Sequence, residues 1–178
     1  MKRLLDRFSV EVKNIWRAFN WEEVKKALEE LVEKELPMEE EKREIYRARF
    51  KNLLRKGKPY QANWGAGIFG YYWLGYRQRF FAGLYLFLLM SLFQLLEVKV
   101  FLANVAFFQS HASLGLFWIL LILLTTLAPF LYCFLFADAY LALTMSNGLS
   151  AHRSFKHALA LFVAIFLLSE LFSLLLPV

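Results

Sequence analysis

The sequence predicts an all-α membrane protein: N-terminal cytoplasmic helices, one interfacial or re-entrant aromatic helix, and three transmembrane helices. Three observations carry this. The chain is 59% hydrophobic and 20% charged, whereas soluble domains run near half and a quarter. Its charge is segregated, with 16 of the 21 Lys/Arg and 12 of the 15 Asp/Glu in residues 1–60. Three long apolar runs occupy the remainder. The chain therefore divides into a charged helical head (1–58), an aromatic, glycine-rich segment (59–79) and a membrane body (80–178).

In the head, Leu4, Leu5, Phe8, Val12, Ile15, Trp16 and Phe19 recur at three- and four-residue spacings, which predicts an amphipathic helix over 2–19. Its polar face is mostly basic, which suits either a solvated bundle or contact with anionic lipid. Asp6, Arg7, Glu11 and Lys13 interrupt any apolar core that a secretory signal would need. Asn20 before Trp21, Glu22 and Glu23 reads as an N-cap with an acidic first turn. The second helix should run to about Leu36, with Val24, Leu28, Leu31 and Val32 inward, until Pro37 stops it. A third opens on Glu39, Glu40 and Glu41 and closes on Arg55, Lys56 and Gly57, charges and cap that complement the helix dipole. The head's net charge is only +4 and its acids are interleaved, so nucleic acid is not an expected partner.

The segment 63–76 spans 14 residues, ~21 Å as a helix and short of the ~30 Å hydrocarbon. Lys56 and Lys58 precede it and Arg77 and Arg79 follow, so a crossing would strand one basic pair outside. It should lie flat or dip and return. Trp64, Tyr71, Tyr72, Trp73 and Tyr76 fit interfacial depth. Asn63 can cap its start. Ala66 and Gly70 stand four apart, a pair that lets another helix approach closely, while Phe69, Trp73, Tyr76 and Phe80 form an aromatic stripe.

This segment resembles the hallmark of a family of small bacterial inner-membrane proteins known as a domain of unknown function. There Asn-Trp-x-Ala opens the motif, Phe-Gly-Pro lies in the middle, and Trp-Leu-x-Tyr-Arg closes it before two or three spans. Asn63, Trp64, Ala66, Phe69, Gly70, Trp73, Leu74, Tyr76 and Arg77 fall at the matching positions. Tyr71 stands where proline is usual, and Gly65 and Gly67 where larger residues are common. The stretch 137–143 is similar to a second, looser element, so the likeness covers roughly residues 58–145. It implies a fold and a membrane, not a reaction.

The apolar runs 80–96, 114–140 and 158–176 are each long enough to span. Only Lys99 is basic in the loop after the first, whereas Arg153 and Lys156 lie between the second and third. The positive-inside rule then places the head in the cytoplasm and the C-terminus on the periplasmic or external side of a bacterial inner membrane. The second run is too long for a perpendicular span, so its last turn, with Asp138 and Tyr140, should emerge on the inner side. The outer loop is apolar enough to float as an interfacial helix or to be covered by a neighbouring subunit.

The candidate chemistry is sparse. Catalytic, cofactor-binding and metal-binding residues are expected to be none. His152, His157 and Asp138 offer a weak metal or haem set, and Cys133 is alone. Glu170 lies in the third span, where a charge must be paired or functional; Gln94 or Lys99 could reach it. The leading expectation is a non-catalytic accessory or scaffold subunit, whose partners are the lipid bilayer and other membrane-protein subunits. The alternatives are a small homo-oligomeric transporter or channel using Glu170, and a haem- or metal-binding membrane protein.

Overall fold

The computed structural model describes residues 2–34 and 36–174. Regular structure among them is helical throughout, in nine segments. The head comprises α1 (Lys2–Arg17), α2 (Trp21–Glu33) and α3 (Glu40–Lys56). Local signals delimit these helices. The Asn20 side chain accepts from the Glu22 amide at 3.1 Å ahead of α2, and Gly57, at φ 66°, forms the left-handed cap of α3. Val24, Leu28 and Leu31 are buried as expected, while Val32 is only partly covered. The second helix ends earlier than expected, before Pro37. The chain is then free to turn Leu36 and Met38 into the core, where each is 1% exposed.

The aromatic segment is a helical hairpin, α4 (Trp64–Phe69) and α5 (Tyr71–Tyr76), broken at Gly70 with φ 51° and ψ −127°. A side chain is disfavoured in that backbone region, so glycine makes the bend. The amides of Gln61 and Asn63 donate to the carbonyls of Leu135 and Phe134, and the Ser154 amide donates to Tyr76 at the other end. Between them the bend packs on Phe130. From Asp138 to Phe130 is ~12 Å along a helix. The hairpin enters one end of the bundle, descends and returns to the same end.

The body contains α6 (Phe80–Ala103), a short α7 (Val105–Ser110), α8 (Ala112–Ser146) and α9 (Phe155–Ser173). Of these, α6, α8 and α9 are long and apolar enough to cross a membrane. The first is longer than its apolar run, so Glu97 and Lys99 lie within a helix rather than a loop. The extension is tied to α8: the Thr125 hydroxyl donates to the Glu97 carboxylate at 2.7 Å, and Trp118 Nε1 donates to the Glu97 carbonyl at 3.0 Å. Phe108, on α7, stacks on both Phe101 and Trp118. The apolar stretch between spans is thus helical, as its composition suggested.

The 35 residues of α8 run through Pro129 without a break, a length of ~52 Å. Asp138 and Tyr140 are not on its last turn. The helix continues to Ser146, and every residue from 137 to 145 is buried. The head wraps this end. One hydrophobic cluster extends from Ile15 on α1 through α2, α3 and the hairpin to Ala139–Leu143 and Ala151. A smaller cluster, Phe87 with Leu161 and Ile165, joins α6 to α9. Head and body therefore share a core.

Small residues let these elements meet. A Cβ on Gly67 would lie 2.8 Å from the Phe134 ring, and one on Gly83 would lie 2.9 Å from the backbone oxygen of Tyr71. Ala66 is fully buried as well. The close-approach face that the spacing of Ala66 and Gly70 predicts is occupied by the chain's own α8.

Candidate functional site: a polar clasp between head and body

Asp138 has an apolar sequence neighbourhood, and a buried carboxylate must find donors. It finds them on the linker and on α3. Its Oδ2 accepts from Arg49 Nε at 2.7 Å and Gln61 Nε2 at 2.6 Å, and its Oδ1 from Asn63 Nδ2 at 2.8 Å. Arg49 Nη2 also lies 2.6 Å from Oδ2, and it donates to the Ala62 carbonyl at 2.7 Å. Asn63 has a second role, since its Oδ1 accepts from the Ala66 amide at 3.1 Å and caps α4. One asparagine thus starts the hairpin and attaches it to α8.

The other end of the hairpin is held by Arg77. Its Nη1 donates to the Ala151 carbonyl at 3.1 Å and its Nη2 to the Tyr46 hydroxyl at 3.0 Å. The guanidinium lies over the Tyr46 and Trp73 rings, 5.1 and 5.9 Å from their centroids. Glu39 Oε2 is 3.6 Å away. Burial opposes ionisation of Glu39, but the Arg153 amide and the charges of Arg77 and Arg153 outweigh it and hold the carboxyl below its ordinary value. Burial pushes the Tyr46 phenol up, so it is neutral and serves as an acceptor.

Two further charges complete the clasp. Arg79 is 1% exposed and donates to the Leu149 and Ser150 carbonyls, which anchors the turn after α8; burial pulls it down from its ordinary value. Glu11 on α1 is fully buried. Its Oε2 accepts from the Phe81 and Ala82 amides at 3.0 and 3.2 Å, and its Oε1 accepts from Arg7 at 2.8 Å. A carboxylate at a helix N-terminus satisfies orphan amides and favours the dipole, so α1 caps α6.

The motif residues divide in use. Asn63, Ala66, Gly70, Trp73 and Arg77 are structural parts of the clasp and hairpin. Tyr76 accepts from Ser154 through its backbone. Trp64 and Phe69 remain exposed at 72% and 59%, although the Trp64 ring touches Phe134 edge-on. The sequence did not single out Arg49, Gln61, Glu11 or Tyr46. The one available signal was the isolated acid at Asp138, which required a cation from elsewhere.

The intramembrane polar residues do not meet as expected. Gln94 donates to Thr126 Oγ1 at 2.7 Å rather than to Glu170. Both line an open groove of ≈ 420 Å³ between α6, α8 and α9, with Ser91 and Ser169. Glu170 is exposed on α9, and among the described residues its carboxylate has no hydrogen-bond or ion-pair partner within the chain. The histidines are also dispersed. His157 pairs with Ser154 at 2.6 Å, and His152 lies 4.0 Å from Glu39, while Asp138 is held by Arg49. Among the described residues, no group of three or more His, Cys, Asp or Glu could hold a metal ion.

The fold defines an all-helical chain with three helices fit to cross a membrane, the form of a multi-pass membrane protein. Comparison with family models, curated proteins and solved structures returns no match. What the clasp can do follows from its own chemistry. Its carboxylates are engaged with arginines and amides, and its guanidinium groups with carboxylates, a phenol and backbone carbonyls, so it positions helices.

Proposed function

We propose that this chain is a non-catalytic accessory or scaffold subunit of a larger bacterial inner-membrane complex. The head and clasp face the cytoplasm, the hairpin re-enters the inner leaflet, and α9 ends on the outer side. The observation that carries the reading is Glu170. A carboxyl on the outward face of a spanning helix is costly in lipid, and its own chain supplies no donor among the described residues. A neighbouring subunit that offers a cation or hydroxyl would satisfy it. The positive-inside bias and the likeness of residues 63–77 to a bacterial inner-membrane motif support the location.

The test is a photo-crosslinking residue at Leu167 or Leu171, flanking Glu170, in native membranes, followed by mild-detergent purification and mass spectrometry. Stoichiometric crosslinks to one other protein are expected, and Glu170→Leu should remove them. A lone, monodisperse monomer with full stability and no crosslink overturns the proposal. The groove lined by Ser91, Gln94, Thr126 and Ser169 favours a second reading, a small homo-oligomeric transporter or channel with Glu170 in the pathway. Under that reading only self-crosslinks form, and Glu170→Gln abolishes flux in liposomes.

A further inference from the structure

The packing of α1 is out of register with its own hydrophobicity. At 100° per residue, its apolar stripe and its buried face are turned about 90° from one another. Among the described residues, α1 and the turn after it bury Glu11, Asn14, Ile15 and Ala18, and of these only Ile15 belongs to the stripe. The cause is the clasp, because Glu11 must reach the amides at the start of α6 and Asn14 faces Asn147. Leu4, Leu5, Phe8, Trp16 and Phe19 are left outside, Leu5 at 59% and Trp16 at 54% exposure.

We propose that α1 is a membrane-surface helix whose outward apolar edge docks into the anionic lipid leaflet on the head's side of the bundle. The edge is continuous with the spans. Phe8 packs edge-on against Phe81 at 5.7 Å, Trp16 Nε1 lies 3.3 Å from the Tyr85 hydroxyl, and Phe19 sits 4.5 Å from Phe136. All three neighbours lie within helices long and apolar enough to cross a membrane. The opposite edge points elsewhere, since Asn14 meets Asn147 just beyond the end of α8. Charge fits the same occupant. The helix carries five cations against two acids; Arg7 pairs with the buried Glu11 and Arg17 with Glu23 on α2. Lys13 is exposed on the polar side, where it meets headgroup phosphates once the aromatic edge is immersed.

The test places a nitroxide at Leu5→Cys or Lys13→Cys in the full chain. Buried Cys133 is left in place, and its reactivity is checked on the parent. The protein is reconstituted in phosphatidylcholine vesicles with or without phosphatidylglycerol. With the anionic lipid, the label at 5 should be several-fold more accessible to oxygen than to a water-soluble nickel chelate, with the reverse at 13. Without it, the contrast at 5 should shrink. Because both positions are exposed and unpacked, the reversed behaviour at 13 confirms a folded chain. A label at 5 open to nickel in anionic vesicles overturns the proposal, as does shielding indifferent to phosphatidylglycerol. Spin–spin broadening at 5 that vanishes on dilution with unlabelled chain assigns the edge to a second copy and also overturns it.

Discussion

Both halves of α8 are predominantly apolar in sequence, and their surroundings are opposite. From 112 to 128 only Gly115 is buried, and Leu116, Leu120 and Leu124 face outward. From 137 to 145 every residue is covered by the head and hairpin. One half faces outward with the composition of a membrane span, and the other is enclosed by protein. An apolar side chain gains little by moving from lipid into protein but much by leaving water. The covered half is therefore where packing within the chain stabilises the fold. It is also where polar groups can be afforded, because the head supplies their partners.

The largest effect is expected from Asp138→Ala, which leaves the donors of Arg49, Gln61 and Asn63 facing an apolar gap. Loss of a buried carboxylate from such a network should cost about 3–4 kcal/mol. Thermal unfolding in mild detergent reads this; a melting temperature unmoved by the change would mean that the clasp is not holding the head. Next comes a matched pair. Leu141→Ala opens a cavity in a fully buried position and should cost about 3 kcal/mol, whereas Leu124→Ala, 57% exposed, should change detergent stability by less than about 0.5 kcal/mol. Equal losses would erase the distinction between the halves, and a large loss at Leu124 only in native membranes would locate a subunit contact there.

Gly83→Ala probes the seam between the hairpin and α6. The new methyl would meet the Tyr71 carbonyl, which cannot rotate away, so about 2 kcal/mol of overpacking is expected. A smaller change tests the polar end by pH. The folded chain holds the Glu39 carboxyl below its ordinary value, so it binds that proton more weakly than the unfolded chain does. The associated stability is complete above the ordinary carboxylate range, near about pH 4, and is lost as pH falls through the folded value. Glu39→Gln should flatten this acid limb of the melting-temperature profile, and an unchanged limb would assign it to other carboxylates.

Features set by neighbours in the chain were legible. Asn20 and Asn63 cap helices because a cap needs only the next three residues. Gly57 ends α3 for the same reason, and the three apolar runs became long helices because length and hydropathy are properties of a window. The bend at Gly70 was half legible, since the glycine was noticed and its backbone angles were not. Contacts across the chain were hidden. Arg49 and Asp138 are 89 residues apart, and nothing local distinguishes Arg49 from the other cations of α3. Glu11 looked like one acid on an amphipathic helix, although it is the cap of a different helix.

The sequence by itself determined helix content, the number of membrane-length segments and the positions of local caps, because these follow from backbone propensity and the transfer of apolar windows out of water. Only the tertiary structure decided which apolar faces meet protein and which are left facing outward, that the C-terminal end of α8 is a soluble-style core, and that Glu170 is left without a partner among the described residues of its own chain. Hydropathy measures the preference for leaving water, and it is blind to whether protein or lipid receives the side chain.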